Sequence, residues 1–215
     1  MEPIRIAVLV SGGGTNLQAL IDAASRGELP HGRLSLVVSN VKGAYALARA
    51  EKAGIPALTL TKKAGGGQAG FEKALQAELE SRGIDMLVLA GFLSILSGDF
   101  AARWPRRIIN IHPALIPSFC GNGSYGLRVH KKALAYGVKV SGATSHFVVA
   151  EADAGPIILQ KAVKVEEDDT PEALQRRIME QAEWKILPES ISLFCQGRLV
   201  VEGRRVRILP EVNEK

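Results

Sequence analysis

Three short constellations in this chain of 215 residues carry side chains and backbone able to do chemistry. The first is Ser11-Gly12-Gly13-Gly14-Thr15-Asn16, set between an apolar run and a segment of helical spacing. Residues without a Cβ leave backbone amides open, and amides at a helix N-terminus form a positive concavity suited to phosphate. The string is not GxGxxG, because position 17 is Leu, and it is not a Walker loop, because no Lys follows the last glycine. It therefore speaks against a dinucleotide or ATP cradle and for a single terminal phosphate, with a tight turn and helix cap as the alternative.

The second constellation is Asn110-Ile111-His112-Pro113, at the end of an apolar strand. Residues i and i+2 share a face of a strand, so the Asn110 amide and His112 imidazole project together at its carboxyl end. In an open α/β sheet that edge is where ligands bind. The third is Asp153, in Glu151-Ala152-Asp153-Ala154-Gly155-Pro156. An Asp before Gly-Pro is a turn former by default. Paired with His112, its carboxylate would raise the imidazole pKa and fix the ring's orientation.

Composition narrows the class. Hydrophobic residues make up 47% and charged residues 23%, the balance of a folded soluble chain and not of a disordered one. The +5 formal charge suits anionic small molecules or nucleic acid. Scattered Lys and Arg, aromatics at only 5% and no RNA-binding motif favour a solvated basic surface. Cys120 and Cys195 stand alone, without metal-ligand spacing, so no disulfide framework or metal site is expected and a reducing cytoplasm fits. The apolar stretch Ile6 to Val10 stops at glycines and reads as a buried strand, not a signal peptide or membrane span.

The elements that must position these residues alternate. Strand patterns at Ile4 to Val10, Leu34 to Ser39, Ala57 to Leu60, Met86 to Ala90 and Ile108 to His112 are interleaved with helical patterns at Thr15 to Arg26, Tyr45 to Ala53 and Phe71 to Arg82. This alternation predicts a parallel sheet covered on both faces. After His112 the pattern changes. A helix over Val129 to Tyr136 precedes two strand segments, Gly142 to Val149 and Ile157 to Val165, whose short connection predicts an antiparallel hairpin. A long helix from Pro171 to Cys195 follows, with Thr170 as N-cap and Pro188 expected to kink or divide it. Arg198 to Ile208 is expected to form a small ribbon turning at Glu202-Gly203.

The strings RIAVLVSGGGTNLQALIDA, VLAGFLSILS, RIINIHPALIPSF, GVKVSGATSHFV and DAGPIILQ, in that order, resemble the glycinamide ribonucleotide formyltransferases of purine synthesis. The resemblance runs from about Ile4 to about Arg198. It implies transfer of a formyl group from 10-formyl-tetrahydrofolate to the primary amine of glycinamide ribonucleotide, with no metal. By position, Asn110, His112 and Asp153 resemble the family's catalytic residues, and Gly14, Thr15 and Asn16 its phosphate-holding segment. Glu180, Gln181, Ala182 and Glu183 fall where the family binds the ribonucleotide, with Glu183 as the substrate-binding carboxylate. Leu93, Ser94, Ile95 and Leu96, with Val149, Ala150, Glu151, Ala152 and Asp153, resemble the folate-pocket walls, which act largely through backbone groups. Asn110 and Gln68 also fall near the folate.

The chain departs from the family pattern at Ser94 and Gln68, where members have Arg, and at Cys120, where many have Pro. The implied fold is α/β: a Rossmann-like, mostly parallel twisted sheet with helices on both faces, to which the carboxyl-terminal part adds an antiparallel hairpin and a long helix. One formyltransferase domain over 1–215 is expected, with a phosphate-binding half (1–112) and a catalytic half (113–215). Its expected partners are the two small molecules, not nucleic acid or membrane, and it would act as a monomer or homodimer. In the implied chemistry, a protonated His112 and the Asn110 amide donate to the oxyanion, while Asp153 keeps the imidazole charged and relays a proton. A formyl-tetrahydrofolate deformylase-like hydrolase and a non-catalytic nucleotide-binding module are the alternatives. The chain's length and its SGGGTN loop weigh against the first, and Asn110, His112 and Asp153 against the second.

Overall fold

Successive residues of the first strand, β1 (Ile4–Val10), feed two different hydrophobic layers. Ile6, Val8 and Val10 enter one layer with Leu17 and Leu20, while Ala7 and Leu9 enter the other with Phe71, Leu75 and Leu79. A strand whose side chains are buried on both sides must lie in the middle of a three-layer sandwich. The structure is a computed structural model that describes residues 2–211; the ends of the single unit expected over 1–215 lie outside that range.

Among the described residues nine strands form one sheet in the order β3-β2-β1-β4-β5-β6-β7-β9-β8. The first five, β1, β2 (Gly32–Ser39), β3 (Ala57–Thr59), β4 (Met86–Leu89) and β5 (Ile108–His112), are mutually parallel. Then β6 (Val140–Phe147) runs antiparallel to β5, and β7 (Ile157–Lys164) antiparallel to β6, as the short connection predicts. The terminal ribbon β8 (Leu199–Glu202) and β9 (Arg205–Ile208) closes that edge. The helices α1 (Thr15–Ser25), α2 (Tyr45–Lys52) and α3 (Gln68–Ser81) return the chain between the parallel strands. The order reverses between β1 and β4, so a crevice opens at their carboxyl ends.

The structure differs from the sequence reading in several places. The helix α3 starts at Gln68, three residues before the first apolar anchor at Phe71. A helix that the periodicity did not reveal, α4 (Gly98–Arg103), is capped by Ser97, whose hydroxyl accepts from the Phe100 N–H at 3.1 Å. It is too short for a repeating pattern. The strand β6 ends at Phe147, which leaves Val149 outside the sheet and exposed. Between β5 and β6 lies α5 (Leu127–Tyr136).

The long carboxyl-terminal helix begins as read. Thr170 accepts from the Ala173 N–H at 3.1 Å and Pro171 takes the first helical position in α6 (Pro171–Ile178). Its division, however, does not fall at Pro188, which lies inside α7 (Trp184–Cys195). The interruption is a π-helical turn upstream, Met179–Glu183. Pro188 lacks the N–H that would bond the backbone carbonyl of Trp184, yet α7 runs through it.

Candidate active site

Each arm of the site begins where a strand ends. The loop after β1 turns through Gly14, which has φ 72° and caps α1. A Cβ there would lie 2.6 Å from the Ala46 Cβ on α2, so only glycine lets α2 pack this close. The loop after β4 holds Leu93, Ser94 and Ile95. Ser11 ties the two loops together: its hydroxyl accepts from the Leu93 N–H at 2.8 Å and donates to Asn40 Oδ1 at 2.7 Å. The Asn40 amide in turn donates to the Ser94 hydroxyl at 3.0 Å. The carboxyl end of β5 supplies Asn110 and His112. All three arms line one cleft of about 510 Å³, whose far walls are Gly121 to Gly126, Ala152 and Asp153.

Asp153 reaches this cleft because its backbone is left-handed, at φ 54°, a region that Asp tolerates better than most side chains. The turn also requires Gly155, where a Cβ would stand 1.7 Å from the Phe147 carbonyl oxygen. Thus positioned, Asp153 Oδ2 lies 3.5 Å from His112 Nδ1 and accepts from the Gly121 N–H at 2.8 Å. Its other oxygen lies 3.6 Å from His146 Nε2. Burial acts to raise the Asp153 carboxyl, but the His146 hydrogen bond, the His112 charge and the Gly121 N–H outweigh it and hold the group below the usual carboxylate range.

His146 is the participant that sequence reading missed. It stands directly across from Asn110 in the β5–β6 register, and the Asn110 amide nitrogen meets its Nε2 at 3.1 Å. Its Nδ1–H donates to the Phe147 carbonyl at 2.9 Å, so its Nε2 is the nitrogen shared between Asn110 and Asp153. A signal was available: a His in a buried strand pattern, Gly142 to Phe147, needs polar partners.

The shift on His112 runs opposite to the expectation. Burial lowers its pKa and outweighs Asp153 and the Phe119 carbonyl, which act to raise it; the neighbouring His146 lowers it further. The His112 Nε2–H donates to the Phe119 carbonyl at 3.0 Å, while Nδ1 faces the Asp153 carboxylate. His130 lies fully buried close by with neither ring nitrogen hydrogen-bonded, and burial together with the His112 charge pushes it down to about 4. Burial and Asp153 raise the Cys120 thiol, which argues against a nucleophilic role.

The π-helical turn carries Glu183 to the other end of the cleft. Glu183 is buried, and its Oε2 accepts from the Asn16 amide at 2.6 Å. Burial raises it to about 7 against that hydrogen bond, while Asn16 Oδ1 has no partner among the described residues. Among the other positions singled out in the sequence, Gly14, Thr15, Asn16, Leu93, Ser94, Ile95 and Ala152 line the cleft. Side chains of Gln68, Leu96, Val149, Ala150, Glu151, Glu180, Gln181 and Ala182 do not. Gln68 donates to the Ile95 carbonyl at 3.0 Å and to the Glu72 carboxylate from behind the wall. Leu96 and Ala182 are core residues, one in each hydrophobic layer, while Glu180 and Gln181 face a separate surface groove.

Comparison with known proteins matches residues 4–191 to the formyl transferase family model. The chain is 39% identical to the phosphoribosylglycinamide formyltransferase of Haemophilus influenzae over 91% of its own length and 89% of that protein's. It is 42% identical to the chicken trifunctional purine biosynthetic protein adenosine-3 over 92% of its length, but spans only 19% of that relative. The crystal structure of glycinamide ribonucleotide transformylase 1 from Symbiobacterium toebii superposes with a TM-score of 0.91 at 48% identity, covering 97% of this chain and 95% of that one. With this extent of sequence agreement, and with the sheet order and the strand-end cleft described above, the chain belongs to the formyl transferase family.

Proposed function

We propose that this protein transfers the formyl group of 10-formyl-tetrahydrofolate to the primary amine of glycinamide ribonucleotide, a step of purine synthesis. The supporting observation is the approach of His112 Nδ1 to Asp153 Oδ2, 3.5 Å, in a cleft that also holds the glycine loop 12–14. Such a cleft accepts a phosphate at one end and a reacting carbonyl at the other. The apolar side chains of Leu93 and Ile95, 58% and 59% exposed, offer a flat face to an aromatic ring system, as a pteridine requires.

The chemistry follows from the groups present. The free amine attacks the formyl carbon, forming a C–N bond and placing negative charge on the formyl oxygen. The second proton of the Asn110 amide and the Nε2–H of His112 donate to that oxygen, each such donor being worth about 3 kcal/mol. His112 Nε2–H is held by the Phe119 carbonyl, so productive binding exchanges one acceptor for another. The added nitrogen becomes an acidic ammonium, and Asp153, held ionised, takes its proton and returns it to the departing folate nitrogen as the old C–N bond breaks. Asp153 also faces Nδ1 of the His112 ring, where its negative charge favours positive charge on the imidazole as Nε2–H donates to the oxyanion.

The substrates are thus two small anionic molecules. We place the protein in a reducing cytoplasm, where its two free cysteines, Cys120 and Cys195, remain thiols. Among the described residues no helix is long and apolar enough to cross a membrane. A folate-dependent assay offering glycinamide ribonucleotide or water as acceptor tests the reading. Formylated ribonucleotide formed in step with tetrahydrofolate is expected; formate release without it would make the protein a hydrolase, and no turnover with either would make it a binding module.

A further inference from the structure

The mechanism above gives no part to Arg49, yet this half-buried residue of α2 is bonded to the glycine loop. Its Nε donates to the Gly13 carbonyl at 2.8 Å, and an outer nitrogen donates to Gln18 Oε1 at 2.9 Å. The guanidinium also lies over the Tyr45 ring, 5.0 Å from its centre, so three contacts fix its plane. One residue earlier the backbone repeats the pattern. The Ala46 N–H, an open donor of the first turn of α2, donates to the Gly12 carbonyl at 3.1 Å.

Two consecutive loop carbonyls therefore face α2. In a planar trans peptide the N–H points opposite to the C=O. The N–H groups of Gly13 and Gly14 consequently face away from α2, and both residues line the cleft. Among the described residues neither N–H has an acceptor within hydrogen-bond distance. A peptide between two glycines has little steric preference of its own. Released, the Gly13–Gly14 plane can rotate and turn a carbonyl oxygen toward the cleft, which would repel an anion where the amide attracts one.

We propose that Arg49 is a positioning residue for the acceptor's phosphate: it locks the Gly13–Gly14 peptide with its N–H toward the cleft and so sets the preference for a phosphorylated over an unphosphorylated ribosyl amine. The inference rests on the reading of residues 12–16 as the phosphate end of the site. The charge-assisted bond to the Gly13 carbonyl also polarises that peptide and makes its N–H a stronger donor.

The test compares kcat/KM for glycinamide ribonucleotide with that for glycinamide riboside, which lacks the phosphate, using the full chain, Arg49→Met and Arg49→Lys, each checked by its melting curve. Arg49→Met is expected to lose about tenfold or more on the ribonucleotide, through KM and not kcat, from the loss of a hydrogen bond made by a charged group. Its activity on the riboside stays unchanged, and Arg49→Lys recovers part of the loss. Equal losses on both acceptors, the signature of a purely structural contact, would overturn the proposal, as would unchanged discrimination. A wild-type protein indifferent to the phosphate would instead overturn the phosphate reading itself, and is told apart because it needs no variant.

Discussion

The glycine loop and the Asn110–His112–His146–Asp153 cluster face the same cleft, yet they are built from opposite materials. The loop is contiguous backbone: glycines, a helix start and two carbonyls anchored to α2. The cluster is side chains from three separated stretches, held by distances of 3.1 to 3.6 Å between groups that share almost no sequence neighbours. A site made of backbone is sensitive to added volume and indifferent to most changes of functional group. A site made of side chains has the reverse sensitivities.

The sharpest way to break that contrast is to change chemistry at constant volume. Asp153→Asn is expected to lower kcat by about three orders of magnitude, with KM for the ribonucleotide changed only a fewfold. Steady-state kinetics showing kcat within tenfold of wild type would remove the carboxylate from the reaction. The converse experiment adds volume without chemistry. Gly14→Val forces a branched side chain onto a left-handed backbone and into Ala46, and should cost roughly 3 to 4 kcal/mol in urea unfolding. Its remaining folded fraction should show a raised KM for the ribonucleotide and a nearly normal kcat.

Two smaller effects, equal in size and opposite in sign, separate the ends by pH. Beside the catalytic cluster, His130 is held at about 4 in the folded chain against 6.5 ordinarily, so between these values the unfolded chain binds a proton that the folded one refuses. Stability is thus lost as pH falls through that window, by roughly 3 kcal/mol. His130→Leu should flatten this limb. At the phosphate end, Glu183 stands at about 7 against 4.5, so the folded chain keeps a proton that the unfolded one releases. Here stability is lost as pH rises from 4.5 to 7, again by roughly 3 kcal/mol, and Glu183→Gln should remove the loss. Urea midpoints measured from pH 4 to pH 8 check both; parallel profiles for wild type and variants would show that these groups titrate alike folded and unfolded.

What could be read in advance follows the same division. The glycine loop was legible because its parts are adjacent in the chain and their geometry is local. Asn110 and His112 were legible because strand period alone puts them on one face. His146 was not, since its meaning comes from lying opposite Asn110 in an antiparallel register that the sequence does not print. Glu183 was visible only through resemblance: the π-helical turn that aims it at Asn16 breaks the regular helical spacing the sequence pattern predicts.

The residue pattern by itself determined the alternation of strands and helices, the hairpin, the Thr170 cap and the strand-end location of the reactive groups, because these depend on interactions within a few residues. Only the tertiary structure decided the direction in which the His112 pKa moves, which the pairing with Asp153 alone would have raised and burial instead lowers. It also decided the inclusion of His146 and the clamp of Arg49 on Gly13. Desolvation and long-range hydrogen bonds depend on what surrounds a group in space, and neither is encoded in any single stretch of chain.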